Sequence, residues 1–234
     1  MAVLKRSEVA VAAAPRESGA LPAGWRERLR QRLPAQPDHR PGQCRYGPFR
    51  AVPPAAVIEA LCTHPPEAPR AAAVLVPLFE RSGVPCLLLT VRASHLRAHA
   101  GQISFPGGLL EGQDSDAAAA ALRETQEEIG IAAADVEPLG FLSDHLVRTG
   151  YRISPLVAWL RPGFTLRPER TEVAEILELP VAHMLEATHY EVRRRTLGGV
   201  ECELLDLPFG PHRIWGATAG ILLDLRERIL AGAA

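Results

Sequence analysis

Three glutamates, Glu124, Glu127 and Glu128, lie within one short segment of the sequence. Residues three and four positions apart occupy one face of a helix, so a helical segment would bring these carboxylates within a few ångströms of one another. Crowded carboxylate oxygens with no His or Cys among them suit Mg²⁺ or Mn²⁺ better than zinc. Because Mg²⁺ takes substrate phosphates among its remaining ligands, the cluster predicts metal-assisted chemistry on a phosphate-containing substrate. The alternative is a solvated acidic helix face.

The expected end of this helix makes the three negative charges unfavourable. We expect the helix to end at Gly130, because glycine readily adopts the left-handed conformation of a C-terminal cap. Negative charge in the last turn of a helix is destabilising by about 0.3–1 kcal/mol for each carboxylate. Arg123 can pair with Glu127 four residues later, but one guanidinium group cannot neutralise three carboxylates. A bound cation is therefore expected at this position.

The residues around the glutamates predict a helix over 116–129 that follows a tight turn. Small and apolar residues recur there at helical spacing and predict a stripe that faces a core, formed by Ala118, Ala121, Leu122, Thr125 and Ile129. The glutamates would then lie on another face. Directly upstream, Phe105-Pro106-Gly107-Gly108 predicts a turn whose glycines allow the backbone to approach a phosphate or a metal. Turn, helix and carboxylates are therefore predicted to form one unit.

This unit resembles the box of the Nudix hydrolase family, in which Gly, five residues, Glu and seven residues precede Arg-Glu-U-x-Glu-Glu-x-Gly-U, with U aliphatic. The second half is matched in register by Arg123, Glu124, Glu127, Glu128, Gly130 and Ile131, with Thr125 in the first aliphatic position. Counted from Gly108, the first acid is Asp114, and eight residues rather than seven separate it from Arg123. The resemblance implies catalytic roles for Arg123, Glu124 and Glu127. It also implies metal ligation by Glu124, Glu127 and Glu128.

A second pattern, upstream of the first, resembles the signature of the coenzyme A pyrophosphatases within the Nudix family. Its fixed positions are filled over 21 residues by Leu88-Leu89-Thr90, Arg92-Ala93, Arg97, Gly101 and Phe105-Pro106-Gly107-Gly108. The resemblance implies hydrolysis of the pyrophosphate of coenzyme A or its derivatives, giving 3′-phosphoadenosine 5′-phosphate and 4′-phosphopantetheine. Substrate binding is then expected at Arg92, Arg97, Gly101, Phe105, Gly107 and Gly108. Arginine binds phosphate oxygens bidentately, although both arginines could instead hold the loop through carboxylate pairs.

Two other functions remain open from the sequence. The same box could hydrolyse ADP-ribose or an NADH-like dinucleotide, with the upstream pattern serving only structure. The domain could also be a nucleotide-sensing module without turnover, although a binding module has no need of a costly anionic cluster. Glu172 and Glu175 are candidates for a further catalytic carboxylate. His212, Arg213 and Trp215 could line a pocket, although a tryptophan at the start of a helix is more often anchored in the core.

Composition narrows the class of protein. The chain has 234 residues, 47% hydrophobic and 23% charged, which is typical of a soluble globular protein. A net charge of −1 argues against a nucleic-acid surface. The four cysteines lack paired spacing, so we expect neither a disulfide framework nor a zinc site, and a cytoplasmic location is the simplest interpretation. No apolar run reaches the roughly 18 residues of a membrane span. We expect a monomer or homodimer acting on a small nucleotide diphosphate.

The pattern along the chain predicts three regions. We expect a disordered tail over 1–20, a helical and Pro-rich extension over 21–70, and a domain over 71–234 that the resemblance identifies as a Nudix hydrolase domain. Strands are predicted over 71–79, 86–92, 137–142, 153–159, 175–179, 190–196 and 202–206, and further helices over 25–33, 53–60, 181–186 and 215–229. The predicted fold class is α+β, a Nudix-type α/β/α sandwich around a mixed β-sheet.

Overall fold

The computed structural model describes residues 21–40, 43–49, 57–58, 69–95, 101–147, 150–197 and 199–231. The predicted disordered tail, most of the predicted helix over 53–60 and the predicted substrate-binding residue Arg97 lie outside these residues. No helix in the described ranges is long and apolar enough to cross a membrane.

The described residues form four α-helices and eleven β-strands. The helices are α1 (Trp25–Arg32), α2 (Ala117–Ile129), α3 (Val181–Leu185) and α4 (Gly216–Leu230). The strands are β1 (Arg70–Arg81), β2 (Val84–Arg92), β3 (Ile103–Ser104), β4 (Gly107–Leu109), β5 (Val136–Phe141), β6 (His145–Val147), β7 (Tyr151–Leu160), β8 (Val173–Pro180), β9 (Glu191–Leu197), β10 (Val200–Phe209) and β11 (His212–Ile214).

In the described part of the chain, eight strands form one mixed sheet. Strands β3, β2, β1, β7 and β5 follow one another across it, while β4 pairs with β1, β6 with β7 and β8 with β2. The pairing of β1 with β7 is parallel, whereas β2 runs antiparallel to both β1 and β8. The strands β9, β10 and β11 form a separate antiparallel sheet, the β9–β11 sheet. The β2 strand therefore ends, at Arg92, between β3 and β8.

Strand β1 shows why the fold has three layers. Its residues Leu75 and Phe79 are buried in an apolar cluster with α2, whereas Val76 and Leu78 are buried in a second cluster with α3 and α4. Because alternate residues of a strand point to opposite faces, helices cover both faces of the sheet. This arrangement confirms the predicted α/β/α sandwich around a mixed sheet.

The predicted elements in the described residues are present, with ends shifted by a few residues. The structure adds β3, β4, β6 and β11, which the sequence analysis missed because two or three residues are too short to show a period. One of them corrects the predicted turn before helix α2, since Gly107–Leu109 pairs with β1 as strand β4. Helix α1 docks on the domain through Arg26 and Arg30, which both bind Glu137 of β5.

Candidate active site

Helix α2 begins and ends where the sequence predicted. The Asp116 carboxylate accepts a hydrogen bond of 2.8 Å from the Ala119 N–H and caps the first turn. At the other end, Gly130 has a φ of 74° and its N–H donates to the Gln126 carbonyl at 3.0 Å. These two caps define the ends of the helix, and all three glutamates lie within its last two turns.

The predicted position on the helix is wrong for one of the three glutamates. The buried residues of α2 include Ala117, Ala120 and Ala121, and Glu128 lies on this same side with 5% of its surface exposed. Of the predicted stripe, Ala121, Thr125 and Ile129 are buried, whereas Ala118 and Leu122 are partly buried and pack against the same cluster. The buried face of the helix is therefore wider than the predicted stripe and includes Glu128.

Thr125 fills its aliphatic position without leaving a polar group unsatisfied. Its side chain is fully buried, and its hydroxyl donates a hydrogen bond of 2.6 Å to the Ala121 carbonyl one turn earlier. A satisfied hydroxyl removes most of the penalty for burying a polar group, so this departure from the box is compatible with the core.

The two glycines before α2 allow the carboxylates to approach the backbone. The Gly107 N–H donates to Glu128 Oε2 at 3.2 Å, and a Cβ at Gly107 would lie 2.3 Å from the Ala73 carbonyl oxygen. A Cβ at Gly108 would lie 2.4 Å from Glu124 Oε1. No side chain fits at either position without displacing its neighbours. Strand β4, helix α2 and the three glutamates are in contact, and we call them the catalytic unit after the role that the resemblance predicts for them.

Arg123 holds two glutamates and the displaced first acid of the box together. Its Nη1 donates to Glu124 Oε1 and Glu127 Oε2, each at 3.0 Å, so these two oxygens are no more than twice that distance apart. Its Nε and Nη2 bind the two Asp114 oxygens at 3.0 and 3.1 Å. Hydrogen bonds from Arg123 lower the pKa of Asp114. The extra residue in the box therefore leaves Asp114 as a group that orients Arg123.

Burial makes the charged forms of two glutamates unfavourable. It raises the pKa of Glu128 to about 7, against the opposing effects of the Gly107 N–H and Arg92, and the charges of Glu124 and Glu172 raise it further. Burial also raises the pKa of Glu124. A cation beside these carboxylates would reverse both effects, because opposite charge favours the ionised form.

The predicted substrate residues occupy different surroundings. Arg92 Nη1 lies 3.8 Å from Glu128 Oε1, and its buried Nε has no hydrogen-bond partner in the described structure. Gly101, with a φ of 69°, donates its N–H to the Arg92 carbonyl at 3.0 Å and closes the turn after β2. Phe105 is 3% exposed and packs in the core, so the structure gives it a packing role below the turn. Its predicted contact with substrate stays a prediction.

The structure separates the two candidates for a further carboxylate. The charge of Glu172 acts on Glu128, and the turn that carries it is joined to the end of α2 by a hydrogen bond of 2.8 Å from the Glu169 N–H to the Glu128 carbonyl. Glu175 instead lies 3.5 Å from His212 Nε2 in the β9–β11 sheet. Glu172 is therefore the carboxylate that accompanies the catalytic unit.

The oxygen groups of the catalytic unit match the chemistry of a hard divalent cation. Within the described ranges, no three His, Cys, Asp or Glu side chains already converge at metal-binding distance. In this arrangement a guanidinium nitrogen of Arg123 lies between Glu124 and Glu127. The buried Glu128, with a raised pKa and one backbone donor, is the group whose ionisation a cation would favour most. The donor set fits Mg²⁺ or Mn²⁺.

Trp215 is not anchored in the core, which corrects the expectation from the sequence. It is 44% exposed, and the guanidinium carbon of Arg193 lies 5.9 Å from its ring centre. The preceding residue, Ile214, is the buried one. No local sequence signal distinguishes the two, because the direction of each side chain depends on how β11 pairs with β10.

A family model and the most similar curated proteins point to the same family. A family model described as the NUDIX domain matches residues 69–197, which include the whole catalytic unit. The chain is 39% identical over 163 residues to a protein of Escherichia coli K12 described as uncharacterized Nudix hydrolase NudL, covering 68% of this chain and 83% of the relative. A protein of the same description from Shigella boydii serotype 18 matches to the same extent.

Among solved structures, the chain is similar to an Ap4A hydrolase of Caenorhabditis elegans in a binary complex, with 20% identity, a TM-score of 0.41 and coverage of 48% of this chain and 80% of the other. It is also similar to the NUDIX domain of Shewanella oneidensis NrtR in complex with ADP ribose, with 15% identity, a TM-score of 0.45 and coverage of 71% and 94%. On the family model, which spans more than half of the sequence, and the relatives at 39% identity, this chain belongs to the Nudix hydrolase family.

Proposed function

We propose that this Nudix hydrolase cleaves the pyrophosphate bond of coenzyme A or a coenzyme A derivative, giving 3′-phosphoadenosine 5′-phosphate and 4′-phosphopantetheine. The observation that carries the proposal is the position of Arg92. This arginine of the upstream signature lies 3.8 Å from Glu128, and 31% of its side chain is exposed. It thus offers positive charge for a substrate phosphate directly beside the catalytic carboxylates.

Glu124 and Glu128 would hold a Mg²⁺ or Mn²⁺ ion, and Glu127, with 60% of its side chain exposed, would hold a second ion or help to activate water. A bound divalent cation supplies charge neutralisation of the diphosphate and a lower pKa for the attacking water, together worth several kcal/mol. The contacts of Gly107 with Glu128 and of Arg123 with Glu124 and Glu127 support these roles.

The residues around the metal carboxylates have separate tasks in this proposal. Arg123 orients Glu124 and Glu127 and is itself oriented by Asp114, so its role is to position catalytic groups. Arg92 binds oxygens of the diphosphate. Water attacks one phosphorus of the diphosphate, the bridging P–O bond breaks, and the other phosphate leaves with the bridging oxygen. A carboxylate that does not hold the first metal ion would accept the proton of the water, and Glu127 and Glu172 are two described carboxylates that fit this step.

Hydrolysis of ADP-ribose or an NADH-like dinucleotide is the second candidate. The contact of 3.8 Å between Arg92 and Glu128 favours it in one respect, since the same pair could serve only to hold the end of β2 against α2. The catalytic unit would then act on another diphosphate, and the upstream signature would have no part in recognising the substrate.

A panel of diphosphates separates the two candidates. Purified protein is incubated with Mg²⁺ or Mn²⁺ and coenzyme A, acetyl-coenzyme A, ADP-ribose or NADH, and the products are identified by mass. The proposal expects 3′-phosphoadenosine 5′-phosphate (adenosine 3′,5′-bisphosphate) and a 4′-phosphopantetheine from the coenzyme A compounds. It expects no product from the Glu128→Gln variant. Turnover of ADP-ribose or NADH without turnover of coenzyme A compounds would contradict it.

A further inference from the structure

A second group of charged and aromatic side chains lies on the β9–β11 sheet, outside the catalytic unit. Trp215, directly after β11, is 44% exposed, and Arg193 of β9 lies against its ring. Arg213 precedes this tryptophan by two residues, and its side chain is about half exposed. An exposed tryptophan contributes little to a core, and its flat ring is available to stack on a planar group of a ligand.

The strand register places the two arginines on one face of this sheet. Arg193 pairs with Leu204, and Arg213 pairs with Pro208. Directly paired residues of antiparallel strands share a face, and so do alternate residues along one strand. Leu204, Asp206 and Pro208 alternate along β10, so Arg193, Asp206 and Arg213 all lie on the same face.

A buried carboxylate fixes both guanidinium groups. Asp206 is 1% exposed, and its Oδ2 accepts hydrogen bonds from Arg193 Nη2 and, at 3.3 Å, from Arg213 Nη1. Arg213 Nη1 also lies 2.8 Å from a Glu191 oxygen. Each arginine has five N–H donors, and the contacts with Asp206 and Glu191 use only one nitrogen of each guanidinium group, Nη2 of Arg193 and Nη1 of Arg213. Two arginines held in place with donors to spare form a preorganised site for an anion such as phosphate.

Contacts on both sides of Trp215 place it above the sheet that carries the catalytic unit. Before it, His212 Nε2 lies 3.5 Å from a Glu175 oxygen in β8. After it, the Thr218 hydroxyl donates a hydrogen bond of 2.9 Å to the Ile103 carbonyl in β3. The tryptophan is therefore held between two contacts, one to β8 and one to β3.

These two contacts meet at a single residue of β2. Val91 pairs with Glu175 on one side and with Ile103 on the other. The next residue is Arg92, about 3.3 Å further along the strand, whose guanidinium group lies beside Glu128. The group on the β9–β11 sheet and the catalytic unit thus flank the same strand end.

We propose that Trp215, Arg193 and Arg213 bind the phosphoadenosine half of a coenzyme A-class substrate. The indole ring stacks on the adenine, and the two guanidinium groups bind the 3′-phosphate. The pyrophosphate then lies over the end of β2, between this subsite and the carboxylates of α2. The inference deepens the proposed function and rests on it for the identity of the substrate.

Binding of a product analogue tests the subsite without hydrolysis. Adenosine 3′,5′-bisphosphate and AMP differ by the 3′-phosphate alone, and their dissociation constants for the full-length protein are measured by calorimetry. We expect Trp215→Ala to weaken binding of both ligands at least roughly tenfold, and Trp215→Phe to retain most of the affinity because it keeps a stacking ring. Arg193→Gln and Arg213→Gln should weaken binding of the bisphosphate roughly tenfold, because each removes a charge-assisted contact, and should change binding of AMP little.

Arg194 provides the matched control. It lies on the same strand as Arg193 but points to the other face, where it pairs with Glu203. Arg194→Gln should leave both dissociation constants unchanged, and melting temperatures should show that all variants fold. The inference would be overturned if Trp215→Ala and Arg193→Gln bound the bisphosphate as tightly as wild type. It would also be overturned if the arginine variants lost affinity for AMP and for the bisphosphate equally.

The outcomes for the subsite and for the proposed function are separate. Hydrolysis of coenzyme A with unaltered ligand binding in the variants would leave the function intact and overturn the subsite. The expected losses of bisphosphate binding, in a protein that hydrolyses no coenzyme A compound, would support the subsite and overturn the proposed reaction.

Discussion

Glu128 and Glu178 are both buried glutamates beside strand β2, but their surroundings differ. Glu178, in β8, is 1% exposed and binds the Arg81 guanidinium through both carboxylate oxygens, one of them at 2.8 Å from Nε. Glu128 is 5% exposed and has one backbone donor at 3.2 Å and an Arg92 nitrogen at 3.8 Å. A buried carboxylate without a close ionic partner is destabilising. Glu178 thus completes a structural ion pair, whereas Glu128 retains capacity for a further positive charge.

The largest expected difference between the two glutamates is in catalysis. Glu128→Gln should lower kcat by about 10³-fold or more, because several kcal/mol of transition-state stabilisation would be lost with the metal. Glu178→Gln should retain kcat within about threefold for the folded fraction. Steady-state hydrolysis of coenzyme A at saturating Mn²⁺ measures both. Near-normal kcat in Glu128→Gln would remove Glu128 from the metal ligands.

The next difference is in the pH dependence of stability without metal. The pKa of Glu128 rises from its ordinary value of 4.5 to about 7 on folding, so the folded state binds more protons between these values. The free energy of unfolding contributed by this residue therefore falls as pH rises through that window. Glu128→Gln removes the effect while keeping an acceptor for the Gly107 N–H. The variant should gain about 1–3 kcal/mol on wild type between pH 5 and pH 8.

Urea denaturation in the presence of EDTA measures this gain at the two pH values. Excess Mn²⁺ should reverse the sign at pH 8, because a ligand that binds only the folded state stabilises it, by about 2.7 kcal/mol at a hundredfold excess over Kd. Parallel pH profiles for wild type and Glu128→Gln would show that the carboxylate is not destabilising when ionised.

The smallest effect is expected from Glu178. Glu178→Gln should lower the free energy of unfolding by about 1–2 kcal/mol, since it removes a charge-assisted pair but leaves Arg81 able to reach water. Added Mn²⁺ should not alter this loss. A loss that appears only in the presence of metal would mean that Glu178, too, belongs to the metal site. Thermal or urea unfolding with and without Mn²⁺ distinguishes the two cases.

Much of the fold and part of the site were predictable because their causes are local. Asp116 and Gly130 cap α2 with groups from the helix itself, so its ends could be read from the sequence. The contact of Arg123 with Glu127, four residues later, likewise follows from helix geometry alone. The strands of the sheet could be predicted because their apolar runs are long enough to show a pattern.

The remaining features depend on contacts between distant parts of the chain. The burial of Glu128 depends on Gly107, which lies 21 residues earlier, and on a buried helix face that is wider than the predicted stripe. The role of Asp114 depends on a side chain nine residues later reaching back across the turn. The exposure of Trp215 depends on the pairing of β11 with β10. No periodic pattern encodes these contacts.

The central claim is that Glu128, a buried carboxylate without a close ionic partner, is a ligand of a divalent cation. Calorimetric titration of Mn²⁺ into metal-free protein tests it most directly. Wild type and Glu178→Gln should give the same saturable binding, and Glu128→Gln should bind at least roughly tenfold more weakly, because it replaces a charged oxygen ligand with a neutral one. Indistinguishable binding curves for wild type and Glu128→Gln, or no binding by wild type, would contradict this assignment.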